Sequence, residues 1–186
     1  MNVRQHRLRG LLLALVSSFA LALVGAGAAG AVGALGSTPE VERLVEAIRM
    51  HRSAAWHWKR VTGRRRTTAR FQERRDTDPD RLAALRDLWR RRASLQRKRA
   101  SNPPHEAAWR CIHRHEGAWN DPNAPYYGGL QMNRQFQQGY GRYLFRLEGT
   151  ADKWSPAEQM WTAERAIRSG TGFRPWPNSA RNCGLL

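Results

Sequence analysis

Glu116 closes a short run, His105 to Glu116, whose residue types and spacing point to chemistry. On a helix advancing 100° per residue, Trp109, Ile112 and Glu116 fall within about 60° of one another, with Ala108 and His115 on the flank. A carboxyl at the end of an apolar stripe is penalised when ionised, because burial removes its hydration, and a carboxyl that keeps its proton is what general acid catalysis requires. The competing reading is a rim glutamate held by one of the nearby basic side chains. The chain continues Gly117-Ala118-Trp119-Asn120-Asp121 and, four residues on, Tyr126-Tyr127-Gly128-Gly129-Leu130-Gln131. Aromatic rings offer flat faces to sugar rings, and paired glycines let a ligand approach the backbone closely. The Gln131 amide carries a donor and an acceptor for hydroxyl and acetamido groups. Trp119, Asn120, Asp121, Tyr126, Tyr127, Gly128, Gly129 and Gln131 therefore make a candidate carbohydrate cleft beside the acid.

Four helical patterns are available to position these groups. Pro39 opens the first, with Val41, Leu44, Val45 and Ile48 on one face. Asp78-Pro79-Asp80 opens a second, with Leu82, Leu85, Leu88 and Trp89 on a broad stripe and Arg90, Arg91, Arg92, Arg97, Lys98 and Arg99 toward its end, where cations suit the helix dipole. Ser101-Asn102-Pro103-Pro104 reads as a hinge before the Glu116 helix. Ser155-Pro156-Ala157-Glu158 is a capping box for a fourth helix that buries Met160, Trp161, Ala163 and Ile167 and stops at Gly170. Gly172, Trp176 and Pro177 follow as a closing loop, and Glu164 reads as a structural ion partner. The expected class is α+β, mainly α.

Charge and targeting narrow the setting. The 186 residues carry 32 Lys plus Arg against 15 Asp plus Glu, a net charge of +17, while eight Trp and a 41% apolar fraction exclude a wholly disordered chain. The net is +3 over residues 1–36, +11 over 37–103 and +3 over 104–186. Arg4, Arg7 and Arg9 precede an apolar run from Leu11 to Val24 and then a stretch of small residues to Gly36, the pattern of an export signal, with a retained membrane anchor as the alternative. Residues 37–103 are then a basic helical segment, either a spacer or a docking element for lipid headgroups or anionic cell-wall polymers, the docking reading drawing also on Trp56, Trp58 and Trp89. Nucleic acid is not an expected partner of an exported chain. Cys111 and Cys183 are the only cysteines, and outside the cytoplasm a disulfide between them is the default. Zinc held by Cys111 and His115 is the rival use.

From Glu116 onward the order of motifs is specific. A helix-borne Glu, then Trp and Asn, then Tyr-Tyr-Gly-Gly-Leu-Gln, and later Glu158-Gln159, Ala163-Glu164, Trp176-Pro177 and Cys183, resembles the catalytic domain of the resuscitation-promoting factors, small transglycosylase-like proteins with a lysozyme-like fold. The resemblance covers about residues 105–184. It implies a catalytic domain over 104–186, with Glu116 as the single acid and Tyr126, Tyr127, Gly128, Gly129 and Gln131 in the cleft. The implied substrate is the peptidoglycan glycan strand, cleaved at the β-1,4 bond between N-acetylmuramic acid and N-acetylglucosamine without metal or organic cofactor. The chain departs from the family pattern in two places. The family usually carries a Cys directly before the acid, where this chain has His115 and its Cys lies one helical turn earlier. The loop between Glu116 and Tyr126 also differs, which leaves open whether Asp121 supplies a second carboxylate. Two other classes stay in view: a wall-binding module that needs no acid, and a polyanion- or membrane-surface-binding protein built on residues 37–103.

Overall fold

Thr38 caps the first helix, α1 (Pro39–Val61), its Oγ1 accepting from Val41 N at 3.4 Å, with Pro39 in the first turn where no backbone donor is needed. Asp78 does the same for α2 (Pro79–Ala100), accepting from Asp80 N and Arg81 N. These are the starts expected from the sequence. The computed structural model describes residues 38–66 and 76–186; the expected export signal or anchor at 1–36 lies outside the described residues. Among the described residues no helix is long and apolar enough to cross a membrane.

After α2 come α3 (Glu106–Glu116), a two-stranded antiparallel hairpin of β1 (Tyr126–Tyr127) and β2 (Met132–Asn133), α4 (Arg134–Tyr140), α5 (Arg142–Glu148), α6 (Pro156–Ala166) and α7 (Pro177–Asn182). The chain is mainly helical, as expected. Where α6 was expected to run on to Gly170, its regular turns end at Ala166 and a π turn, Ile167–Thr171, follows. Pro177 starts a helix instead of lying in a loop, its fixed φ suiting the first turn.

The α1–α2 pair has its own small core of Val41, Leu44, Ile48 and Ala55 against Leu82 and Trp89, with Trp56 edge-on to Trp89 at 6.0 Å. Val45 is 39% exposed, contrary to its expected place in the core. One partner helix covers only a narrow stripe, and Val45 falls beyond it. The tryptophans suggested for surface docking are packing residues: Trp89 is fully buried, and Trp58 lies against the main core.

The described part of residues 37–103 is not a separate spacer: it belongs to one compact unit, Ser37–Leu186, with the rest. Val61, at the end of α1, is fully buried in the same cluster as Trp109, Ile112, Leu130, Met160 and Trp176. Trp161 Nε1 donates to Ala100 O at 2.7 Å, tying the end of α2 to α6. Arg165 donates to Val61 O at 2.6 Å, Arg60 O at 3.0 Å and Tyr140 O at 2.8 Å, binding carbonyls at the C-terminal ends of α1 and α4. Burial, and then nearby Arg168, pull Arg165 down to about 10, so it stays charged at neutral pH. Glu164, fully buried on α6, accepts from Trp109 Nε1 at 2.7 Å and from His105 N at 2.9 Å. It is structural, holding the start of α3 onto α6. The expected capping box of α6 is present, with Ser155 and Glu158 bonded reciprocally.

His57 of α1 reaches the same helix: its Nε2 lies 2.7 Å from Glu158 Oε1, and its Nδ1 lies 3.2 Å from the Tyr143 hydroxyl. Burial raises Glu158, but hydrogen bonds from His57 and Ser155 outweigh it and hold the carboxyl below its usual range. Glu148 is pushed the other way, by burial and then by the charge of Glu158. A carboxyl whose pKa is higher in the fold than in the unfolded chain supports folding below the unfolded value and loses that support as pH rises through the folded one. Glu148→Gln is therefore expected to raise the melting temperature at pH 7. The gain should disappear below about pH 4.5, where Glu148 is protonated in both states. Thermal melts of both proteins across that range check it, and a melting temperature that does not rise at pH 7 contradicts it.

Candidate functional site

Glu116 is the last residue of α3, half-buried where Trp109 and Ile112 on the same stripe are fully buried. The carboxyl thus emerges at the mouth of the core rather than inside it. Ser179, buried on α7, donates its hydroxyl to Glu116 Oε1 and fixes the orientation of the carboxyl. A cleft of about 230 Å³ opens beside it, lined also by Tyr126, Gln131, Pro175, Trp176, Pro177 and Asn178. Trp176 forms a rigid wall. Its Nε1 donates to Leu130 O at 2.6 Å, and Trp109 and Phe136 pack against its ring at 5.0 and 5.4 Å.

The β-hairpin divides the two tyrosines. Successive strand residues point to opposite faces, so Tyr126 is 49% exposed at the cleft while Tyr127 is 8% exposed in the core. Tyr127 was expected in the cleft and belongs to the scaffold instead. Gly128 and Gly129 are likewise buried, and what presses on them is the protein, not a ligand. A Cβ on Gly128 would stand 2.5 Å from Gln159 Oε1, and its φ of +73° disfavours any side chain. A Cβ on Gly129 would meet His113 Nδ1 at 2.6 Å and the Trp119 ring at 2.7 Å.

Trp119, Asn120 and Asp121 lie outside the lining of this cleft. Trp119 stacks on His113 with ring centroids 4.0 Å apart, and its carbonyl accepts from Gln159 Nε2 at 2.8 Å. Asn120 is exposed. Asp121 has both oxygens engaged: Oδ1 accepts from Asn123, and Oδ2 accepts from Gln131 Nε2 at 2.9 Å. The Asn123 backbone N–H, helped by the Gln131 and Asn123 amides against some desolvation, holds the Asp121 carboxyl below the usual range. Asp121 therefore acts on the cleft through Gln131. The Gln131 amide nitrogen is fully used, donating also to Gly128 O at 3.1 Å, which leaves only its carbonyl oxygen for any further bond. Both donor and acceptor had been expected to serve a ligand.

Cys111 and Cys183 are joined, with S–S 2.07 Å, which links α3 to the end of α7 and removes the thiolates that zinc would need. One other group among the described residues, His57, Glu148 and Glu158, brings ligand-type atoms within 4.8 Å of one another. The His57 nitrogens and the Glu158 oxygens there already bond to each other, to Tyr143 and to Ser155.

Ser179 and Asn178 escaped sequence reasoning. Ser179 is 63 positions from Glu116, and no motif connects them. No protein-family model matches the chain, and no curated protein or solved structure is significantly similar to it.

Proposed function

We propose that the protein cleaves the β-1,4 bond between N-acetylmuramic acid and N-acetylglucosamine in peptidoglycan, outside the cytoplasm, as a lytic transglycosylase or muramidase of lysozyme-like type. The observation that carries this reading is a single carboxyl, Glu116, set by Ser179 in a cleft walled by Tyr126 and Trp176. Glu116 protonates the leaving glycosidic oxygen. It then takes a proton either from water, giving hydrolysis, or from the muramic acid 6-hydroxyl, giving an anhydro end. Paired-carboxylate mechanisms place a second acid ~5–9 Å away, and Asp121 is engaged in its own loop. The substrate's acetamido group is then the stabiliser of the oxocarbenium ion. The resemblance of the motif order to that of the resuscitation-promoting factors supports the same reading. Incubation with purified peptidoglycan and mass analysis of the released muropeptides tests it, the mass separating hydrated from anhydro ends. Absence of release from any wall preparation leaves the wall-binding module in its place.

Ser179 is a positioning residue in this scheme. Ser179→Ala is expected to lower kcat about tenfold, the worth of ~1.5 kcal/mol in one hydrogen bond to a charged group, with KM little changed and the fold intact. Ser179→Thr should restore much of the loss. A Ser179→Ala enzyme with the parent's kcat removes Ser179 from the mechanism.

A further inference from the structure

The cavity between α1 and α5, about 440 Å³, is larger than the Glu116 cleft and is lined by Arg60, Arg142, Tyr143, Arg146 and Leu147. Three guanidinium groups, from elements more than eighty residues apart in the chain, share one concave surface. Among the described residues none of the three forms a salt bridge; the arginines that do are Arg49, Arg81, Arg86, Arg90 and Arg110. Glu148 and Glu158 act on Tyr143 in the same wall, but neither pairs with these arginines; like charges gathered without an ion-pair partner repel, and an anion in the cavity relieves that repulsion.

The Arg60–Tyr143 part of the wall is held by the fold itself. The Arg60 guanidinium lies over the Tyr143 ring at 4.7 Å. The Tyr143 hydroxyl is held by His57 Nδ1 at 3.2 Å, and the Arg60 carbonyl accepts from Arg165 Nη2 at 3.0 Å. Arg146 and Arg142 lie four residues apart on α5, one helical turn, and so face the same side.

We infer that this cavity binds a phosphate ester. Planar guanidinium forks match the oxygens of a tetrahedral phosphate, and three of them exceed what a single carboxylate requires. Leu147, 60% exposed at the rim, offers apolar contact to the organic part of an ester, which inorganic phosphate lacks. The site is distinct from the arginine run at the end of α2 and does not depend on wall cleavage by Glu116.

The test is calorimetric titration of the purified full chain with glycerol 3-phosphate, beside co-sedimentation with phosphatidylglycerol vesicles. Two double variants are compared with the parent: Arg142→Gln with Arg146→Gln in the cavity, and Arg43→Gln with Arg99→Gln as a charge-matched control on exposed helix positions. The cavity variant should weaken binding at least tenfold and the control less than twofold, with matching thermal melts showing that both remain folded. Saturable binding of glycerol 3-phosphate that follows this pattern identifies a soluble or polymer-borne phosphate ester. Vesicle binding alone following it identifies a lipid headgroup. Binding to neither probe, or equal loss in both variants, overturns the site and leaves only the diffuse attraction of a +17 chain.

Discussion

Glu116→Gln is expected to abolish release of muropeptides from purified peptidoglycan while leaving the fold and wall binding nearly unchanged. The amide keeps the shape of the side chain and can still accept from Ser179, so only the transferable proton is lost. General acid catalysis is worth ~100- to 10,000-fold, and removing the only carboxyl among the described residues that line the cleft should cost the upper part of that range. Asp121→Asn is the informative companion. Its oxygens hold Gln131 and Asn123 instead of facing the cleft, so its effect should be much smaller and should arise through a displaced Gln131. Activity of Glu116→Gln equal to the parent's ends the enzymatic reading. A loss in Asp121→Asn as large as in Glu116→Gln would instead restore a two-carboxylate mechanism.

Opening the Cys111–Cys183 bridge should be the largest single loss of stability. The bridge spans 72 positions, and loop entropy for a closure of that length corresponds to ~4 kcal/mol, a large share of what a domain of this size has. Denaturant unfolding of the Cys111→Ser, Cys183→Ser double variant, and of the parent with and without reductant, measures it. Two alkylatable thiols in the unreduced protein, or an unmoved unfolding midpoint, would contradict it. Because α7 begins beside Trp176 and carries Ser179, the same change should slow wall cleavage at denaturant levels where the protein is still folded. A bridge with no part in the site would leave that rate alone.

Features that depend on a few neighbouring residues were open to reading from the chain. Thr38-Pro39, Asp78-Pro79 and Ser155-Pro156-Ala157-Glu158 start helices because the cap and the donors it satisfies lie within four positions. The Trp109–Ile112–Glu116 stripe needs only the helical period. The cysteine pair follows from there being two.

What a side chain does once it is placed was set by partners far along the chain. Local sequence cannot tell Tyr126 from Tyr127; the register of a two-residue strand against Met132 and Asn133 exposes one and buries the other. Gly128 and Gly129 suit a ligand's approach equally well on paper, yet Gln159, His113 and Trp119 occupy the space a Cβ would need. Asp121 became a support for Gln131, and Ser179 became the partner of Glu116, through contacts that only the closed fold makes. The basic segment 37–103 reads as a spacer or a docking element until Arg165 and Trp161 take up the last carbonyls of α1 and α2. Helix caps and stripes are set by residues within a few positions of one another, so they can be read without the rest of the fold. Burial, and the hydrogen bonds it makes obligatory, exist only when distant segments have excluded water together.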